Sequence, residues 1–169
     1  MSTSPPQPLQ IGQILVQQGV LSEQQAFEIA AAQKTRHKPF GVLAEEMFDV
    51  TVEAIEEAWV EQYHRFTGTI DLDEQKVDER ALRTIHRRQA WQFQMAPLRF
   101  EKTGELLIAA DRSRLARAVT FATRTLEVPT YFRIAESEDL RGFLRRHFPM
   151  PEVSDELIAL AQRMTRDAA

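Results

Sequence analysis

The sequence contains no cysteine and only six glycines, and each shortage excludes a class of chemistry. Without cysteine there is no disulfide, no thiol nucleophile and no cysteine metal site, which is compatible with a reducing cytoplasm. The glycines lie at positions 12, 19, 41, 68, 104 and 142, and no Gly-x-x-x-x-Gly-Lys-Ser/Thr sequence occurs. The chain therefore lacks the loop with which P-loop ATPases hold ATP.

Long hydrophobic runs and a basic, apolar leader are also missing. No apolar stretch approaches the ~18–20 residues that a membrane-spanning helix needs. The first residues are rich in Ser, Pro and Gln, which is not the pattern of a secretory signal. We therefore expect a soluble, cytoplasmic protein that does not insert into a membrane.

Residue patterns typical of catalysis and metal binding are absent as well. The four histidines contain no pair at i, i+4 and no His-Glu-x-x-His sequence, so we expect no metal site. No Gly-x-Ser-x-Gly nucleophile motif occurs. Carboxylate pairs such as Glu45-Glu46 and Glu56-Glu57 are typical of solvated helix faces. We predict that the chain is not an enzyme and needs no cofactor.

Charge is distributed unevenly, although the net charge is only −4. Residues 1–66 carry 4 basic and 9 acidic side chains, net −5, whereas residues 67–150 carry 15 and 12, net +3. This contrast indicates two subdomains of different surface character. The apolar content of 43% is that of a globular protein with a buried core.

The stretch 10–62 contains one unit twice. The two copies, 10–33 and 39–62, are 24 residues long, with five residues between them. Equivalent pairs at an offset of 29 positions include Gly12/Gly41, Ser22/Thr51, Glu28/Glu57 and Gln33/Gln62. A fixed internal period is typical of supersecondary units that share one core.

Each copy has the pattern of a short helix, a turn and a longer helix. Gly19 marks the turn in the first copy, and the equivalent position in the second is Phe48. Ser22 or Thr51 then offers an oxygen to cap the longer helix, and Ser22 with Gln25 fits a capping box. Apolar residues recur at helical spacing afterwards. We predict two tandem helical hairpins.

The second half alternates between strand and helix patterns. We predict strands within 69–73, 95–100, 105–110 and 128–135, and helices over 77–93, 113–126 and 137–148. Helices are expected to cover one face of the strands, with Val77, Leu82, Ile85 and Trp91 pointing inward. The phenylalanines expected in the core are Phe93, Phe100, Phe121, Phe132, Phe143 and Phe148.

The predicted fold class is α+β, with tandem helical hairpins followed by a small α/β-layer subdomain. The predicted boundaries are a disordered tail at 1–8, the hairpin repeat at 9–66, the α+β subdomain at 67–148, and a C-terminal helical tail or linker at 149–169. Within that tail, residues 157–164 have an amphipathic pattern.

The repeat resembles the tandem motif of the MshEN-type domain, the N-terminal domain of GspE-like and PilB-like assembly ATPases of bacterial type II secretion and type IV pili. That motif starts Arg-Leu-Gly, ends in Gln, has 24 residues and is separated from its second copy by five. The most similar string here is Leu15-Val-Gln-Gln-Gly-Val-Leu-Ser-Glu-Gln24. The resemblance covers about 9–148, and the ATPase half is missing from this sequence.

Some members of that family bind cyclic di-GMP with these motifs, so the resemblance implies candidate positions. The candidate nucleotide-binding residues are Gln10, Ile11, Gly12, Leu15, Gln33, Phe40, Gly41, Ile55, Trp59 and Gln62. Guanine needs apolar faces and amide partners, and phosphate needs backbone amides or a cation. For Trp59, core packing is an alternative role.

The sequence departs from the motif where phosphate would bind. The motif arginine is replaced by Gln10 and Pro39, and neither can make the bidentate contact of a guanidinium. Smaller Ala26 and Ala30 replace motif leucines, and acidic Glu45 and Asp49 occur in the second copy. The cations that could compensate are Arg36, His37 and Lys38.

We predict a non-catalytic regulatory or docking module for a protein partner in a secretion, pilus or motility machine. The alternative is a cyclic di-GMP receptor with a degenerate site. A second alternative is nucleic-acid binding through three basic helices. These helices contain Arg80, Arg83, Arg87 and Arg88, then Arg112, Arg114 and Arg117, and finally Arg141, Arg145 and Arg146. Interleaved acidic residues favour a solvated surface instead, so no nucleic-acid partner is expected.

Overall fold

Residues 9–150 are described by a computed structural model, in which helices precede a small sheet. The first part contains α1 (Ile11–Gln17), α2 (Glu23–Arg36), α3 (Phe40–Phe48) and α4 (Val52–Thr67). The second part contains β1 (Thr69–Ile70), α5 (Glu79–Leu82), α6 (Arg87–Phe93), β2 (Met95–Phe100), β3 (Leu106–Asp111), α7 (Leu115–Thr125), β4 (Thr130–Ala135) and α8 (Ser137–His147). A 3-10 turn at Arg112–Arg114 precedes α7. The α+β class is confirmed, while the predicted 157–164 segment lies outside the described residues.

The two helical hairpins begin and end at the signals that the sequence predicts. The Ser22 hydroxyl accepts a hydrogen bond from the Gln25 amide at 3.1 Å, and the Thr51 hydroxyl accepts one from the Ala54 amide at 3.3 Å. The Gln25 side chain accepts from the Ser22 N–H at 2.8 Å, which completes the capping box. Gly19 follows α1 with φ +72°, a conformation that favours glycine.

The second hairpin turns one residue later than the repeat predicts. α3 continues through Phe48, and the left-handed conformation falls on Asp49, with φ 52°. A bulky side chain is disfavoured in this region, whereas aspartate tolerates it better. α3 is two residues longer than α1, and the left-handed residue moves by one position, from Phe48, the equivalent of Gly19, to Asp49.

The core of the first part has the same period as the sequence. Its eight buried side chains form four pairs 29 positions apart, Ile14/Leu43, Leu15/Ala44, Leu21/Val50 and Ile29/Ala58. α1 packs on α4, and α3 packs on α2, so each short helix contacts the long helix of the other copy. The two copies therefore share one core.

The sheet has the strand order β1-β4-β3-β2, with β2 antiparallel to β3 and the other pairs parallel. All six residues of β3 are buried, and successive side chains of a strand point to opposite faces. Both faces are therefore covered, and the expectation of helices on one face is wrong. The reason is the parallel β3–β4 pair, since parallel strands are joined by helical crossovers that cover the sheet.

The predicted helix 77–93 is in fact two short helices. α5 ends at Leu82, and the Thr84 hydroxyl then donates to the Ala81 carbonyl at 2.7 Å, a local bond that competes with helix continuation. Asp78 caps α5, because its carboxylate accepts a hydrogen bond from the Arg80 amide at 2.8 Å. Val77 precedes the helix and is 36% exposed, so its predicted inward position is wrong.

The other predicted core positions divide between buried and partly buried. Ile85, Phe132, Phe143 and Phe148 are buried in the core around the sheet, which we call the second cluster; the first cluster is the core of the first part. The partly buried members that pack against it are Leu82, Trp91, Phe93, Phe100 and Phe121. The strands predicted at 95–100 and 105–110 are present as β2 and β3, which pair as an antiparallel hairpin.

Candidate functional site

An apolar groove of about 520 Å³ lies between α3, α4 and the start of α1. Six of the ten candidate residues line it, namely Ile11, Phe40, Gly41, Ile55, Trp59 and Gln62. A smaller pocket continues along α4 over Trp59, Gln62, Tyr63 and Phe66. We call the groove and this continuation together the α4 groove. It combines the motif face of the second copy with one residue of the first.

The floor of the α4 groove is made by close packing at glycine. A Cβ on Gly41 would lie 2.8 Å from Ile55 Cγ2, and one on Gly12 would lie 2.7 Å from Phe40 Cζ. Both distances are too short for real side chains, so the two motif glycines allow Ile55 and Phe40 to approach the helix backbone. Gly12 itself lies beneath the Phe40 ring and does not line the groove.

The other three candidates also lie away from the groove lining. Leu15 is fully buried in the first cluster, and Gln10 is exposed just before α1, where its N–H donates to Gln13 Oε1 at 3.1 Å. Gln33 lies in α2 and donates through Nε2 to the Lys38 carbonyl at 3.2 Å. These residues stabilise the helical hairpins and do not form the surface of the groove.

The two motif glutamines make equivalent hydrogen bonds. Gln62 Nε2 donates to the Leu9 carbonyl at 3.1 Å, as Gln33 Nε2 does to the Lys38 carbonyl. Leu9 and Lys38 are 29 positions apart, and each directly precedes one copy. Each glutamine therefore ties the end of one copy to the start of the other. The shared 29-residue spacing was the available signal, but sequence reasoning did not use it.

Trp59 has both of the roles considered for it. It packs against the second cluster, stacks on Tyr63 with 5.5 Å between ring centroids, and also lines the groove. The Tyr63 hydroxyl donates to the Phe132 carbonyl at 2.5 Å, and burial raises the pKa of that hydroxyl. α4 is therefore fixed against β4 at the same place where it forms the groove.

The charged groups that line the α4 groove are both carboxylates. Glu45 and Glu56 lie in its wall, and no Lys, Arg or His of residues 9–150 lines it. Glu46, next to Glu45, instead holds two of the cations expected to compensate. Arg36 lies 3.6 Å from the Glu46 carboxylate, and Lys38 forms an ion pair with it. The hydrogen bond from Lys38 holds the pKa of Glu46 below its ordinary value.

The remaining charged candidates near the repeat form turns. His37 ends α2 and Asp49 ends α3, and each adopts the left-handed conformation with φ 52°. On the face of α2 equivalent to the groove, Ala26 and Ala30 stand where Ile55 and Trp59 stand in α4. Phe27, equivalent to Glu56, is 70% exposed there. At the two alanine positions the first copy therefore has less apolar surface than the second.

A second cavity, also about 520 Å³, separates α4 from the 3-10 turn before α7. Asp111 lies in its wall and accepts hydrogen bonds from the Ser113 amide at 2.8 Å, the Ser113 hydroxyl at 2.5 Å and the Ser137 hydroxyl. Burial raises the pKa of Asp111, but these bonds outweigh it and hold the pKa below its ordinary value. Asp111 therefore joins the starts of two helices that follow β3 and β4.

Arg112, which also lines this cavity, connects the two parts of the molecule. Its guanidinium contacts Glu61 of α4, and its Nη1 lies 2.9 Å from His64 Nδ1. Hydrogen bonds from Arg112 and Arg65 hold the pKa of Glu61 below its ordinary value. The arginine expected on a basic helix is thus part of the contact between α4 and the sheet.

Several arginines of the predicted basic helices are paired with carboxylates. Arg80 contacts Asp78 at 2.9 Å, Arg83 contacts Glu79 at 3.2 Å, and Arg146 contacts Asp73 at 3.3 Å. Within residues 9–150, no group of three or more His, Cys, Asp or Glu could hold a metal ion. None of the helices in this range has the length and apolar character needed to cross a bilayer.

A family model, MshEN domain, matches residues 62–154, which is more than half of the chain. The chain belongs to the MshEN domain family. It is thus related to the N-terminal domains of secretion and pilus ATPases, and this 169-residue chain contains no ATPase domain. The match begins at Gln62, so it includes Gln62, Tyr63 and Phe66 of the α4 groove, and the other groove residues lie before it. No curated protein matches the chain.

Two solved structures are similar to this chain at low identity. A structure of MshE with cdg is 20% identical, covers 83% of this chain and 99% of its own, and has a TM-score of 0.47. The N-terminal domain of XpsE is 14% identical, covers 80% of this chain and 92% of its own, and has a TM-score of 0.45. The family assignment therefore depends on the family model.

Proposed function

We propose that this chain is a non-catalytic docking module that binds a protein partner of a secretion, pilus or motility machine through the α4 groove. The chemistry of the groove is the observation that supports this role. Its walls are apolar, and its charged groups are Glu45 and Glu56. Apolar surfaces of this kind, bordered by polar groups, are typical of protein interaction sites. The role needs no cofactor and no catalytic residue.

A cyclic di-GMP receptor is the second candidate. It is supported by the tandem motif and by the convergence of Phe40, Trp59 and Gln62 on one groove. The carboxylates of Glu45 and Glu56 oppose it, because they would repel the phosphates of such a ligand. The bound cdg is a property of the MshE structure.

A ligand titration separates these two candidates. A receptor at ~100 times its Kd gains about 2.7 kcal/mol from the bound ligand, which raises its Tm. We expect cyclic di-GMP to leave the Tm of this chain unchanged. A rise that Gln62→Ala abolishes, and that the exposed control Gln92→Ala retains, would establish the receptor instead.

A photo-crosslinking experiment tests docking directly. Phe66, 75% exposed, lies in the α4 groove, whereas Phe27, 70% exposed, lies on α2 away from it. A photoreactive phenylalanine analogue at position 66, introduced in the native cells, should form an adduct with one discrete protein. The same analogue at position 27 is the matched control. A lack of protein adducts at both positions would contradict the docking role.

Nucleic-acid binding is supported by the net charge of the second half and opposed by its ion pairs. Phosphate binding depends strongly on salt, so low ionic strength is the condition most favourable to it. We expect no retardation of DNA or RNA in an electrophoretic assay at low salt. Retardation that disappears on Arg87→Glu/Arg88→Glu substitution would contradict this expectation.

A further inference from the structure

The α4 groove contains a continuous apolar stripe on one helix. The side chains that α4 gives to it are spaced by three or four residues, and they are Val52, Ile55, Trp59, Tyr63 and Phe66. This spacing places them on one helix face. At 1.5 Å per residue the stripe is about 21 Å long, or about four turns. Its two ends are open to solvent, with Val52 51% and Phe66 75% exposed.

The elements around the groove determine which backbone conformation can lie in it. All lining residues belong to α1, α3, α4 or the residue before α3. Helices use their backbone N–H and C=O groups internally, so they cannot pair with an extended strand as a sheet edge does. A segment that satisfies its own backbone groups when buried is a helix.

The charged residues of the groove determine which charge a bound helix should have on the side chains that flank its apolar face. Glu45 on α3 and Glu56 on α4 are in the wall, without a cation among the lining residues of the described chain. A partner with acidic flanks would meet two like charges, whereas lysine or arginine would meet two opposite ones. The same carboxylates disfavour the anionic surface of a bilayer as the occupant.

We propose that the α4 groove binds an amphipathic helix of about four turns from a partner protein, with its apolar face along α4 and basic side chains opposite Glu45 and Glu56. This inference rests on the proposed docking function and specifies the chemistry of the partner. The i, i+4 and i+7 apolar positions of the bound helix interdigitate with the stripe, as in other helix-in-groove complexes.

Two labelled 18-residue peptides test this proposal by fluorescence polarisation with the full chain. Both have leucine at i, i+4, i+7 and i+11, and the flanking positions are lysine in one and glutamate in the other. We expect the lysine peptide to bind at least about tenfold more tightly. In the Glu45→Lys/Glu56→Lys variant this order should reverse, so that the glutamate peptide binds better.

Two variants give matched controls for the surface and for the charge. Phe66→Ser should weaken the lysine peptide about tenfold, whereas Phe27→Ser, at a similarly exposed position, should leave its affinity unchanged. Glu57→Lys changes the residue next to Glu56, outside the α4 groove, and should have a much smaller effect than Glu56→Lys. Equal effects at positions 57 and 56 would contradict the assignment of the site.

Three further results would overturn the inference. They are failure of both peptides to bind, equal affinity of both peptides, and saturable self-association by light scattering that Phe66→Ser abolishes. The last result would identify a second copy of the chain as the occupant. If the analogue at position 66 still crosslinks to a protein while neither peptide binds, the docking function is supported and the proposal of a basic helical partner is wrong. If no protein crosslinks and cyclic di-GMP raises the Tm, the proposed function itself is wrong.

Discussion

Four residues of the repeat, which the motif suggested as ligand-binding positions, make structural contacts. Gly12 and Gly41 allow side-chain packing on the helix backbone, and Gln33 and Gln62 tie the two copies together. The four residues thus have structural functions whatever the groove binds. Stability measurements can test these functions separately from binding.

Substitution of Gly12 by alanine should destabilise the fold. The added Cβ would lie 2.7 Å from Phe40 Cζ, so the ring must move, at a cost of about 1–3 kcal/mol. Gly142 is the control, because nothing lies within 4 Å of a Cβ there and Gly142→Ala should stabilise α8 by about 0.5–1 kcal/mol. Urea unfolding measures both values. Equal effects of the two substitutions would contradict the packing role of Gly12.

The two glutamines should contribute similarly to stability because their bonds are equivalent. Gln33→Ala and Gln62→Ala each remove one hydrogen bond to a backbone carbonyl, for an expected loss of about 1 kcal/mol in the free energy of unfolding. Gln92→Ala, at an exposed position of α6, should change it by less than about 0.5 kcal/mol. Denaturant unfolding of the three variants tests this, and an effect of Gln62→Ala no larger than the control would refute it.

Among the elements, the starts of the 3-10 turn and α8 depend on one buried carboxylate. Asp111 accepts hydrogen bonds from Ser113 and Ser137, and so joins the segments that leave β3 and β4. A buried carboxylate is stable in this place because hydroxyl and amide donors surround it. Its protonation should therefore weaken the second half of the molecule.

The pKa of Asp111 predicts an acid-dependent loss of stability. Its pKa in the folded chain is below the ordinary value of 3.8, so its stabilising effect is complete above that value and is lost as pH falls through the folded pKa. Asp111→Asn should cost about 1–3 kcal/mol at neutral pH and progressively less in acid. Urea unfolding at neutral and acid pH measures this, with exposed Glu127→Gln as control. A constant difference at both pH values would contradict the role of the carboxylate.

At the scale of the whole molecule, α4 is common to both buried clusters. Ala58 belongs to the first and Val60 to the second, and Arg112 contacts α4 from the sheet side. Because α4 belongs to both clusters, unfolding of one cluster should destabilise the other. The groove, on another face of the same helix, therefore depends on both parts of the fold.

The shared helix predicts one cooperative unfolding transition. Ile29→Ala in the first cluster should cost about 2–5 kcal/mol and lower the amide exchange protection of β3 as much as that of α2. Val60→Ala should act likewise from the second cluster. Hydrogen exchange of the full chain measures both regions. Loss of protection in α2 alone after Ile29→Ala would indicate that the two parts unfold independently.

The sequence by itself determined the features that depend on local chemistry and on period. The caps at Ser22 and Thr51 and the strands at 95–100 and 105–110 depend on nearby residues, and the 29-residue offset predicted the paired helices. These are short-range preferences, which a sequence states directly. The prediction of one helix over 77–93 was wrong, because the Thr84 hydroxyl bonds to the Ala81 carbonyl and hydrophobic periodicity does not reveal such a bond.

Only the tertiary structure decided which of the candidate residues meet. It placed six of ten in one groove, assigned Gln33 and Gln62 to reciprocal ties between the copies, and paired Arg36 and Lys38 with Glu46. It also covered both faces of the sheet and fixed α4 between two clusters. These outcomes depend on contacts between distant segments, and the direction in which a side chain points across such a contact is set by packing rather than by its neighbours in the chain.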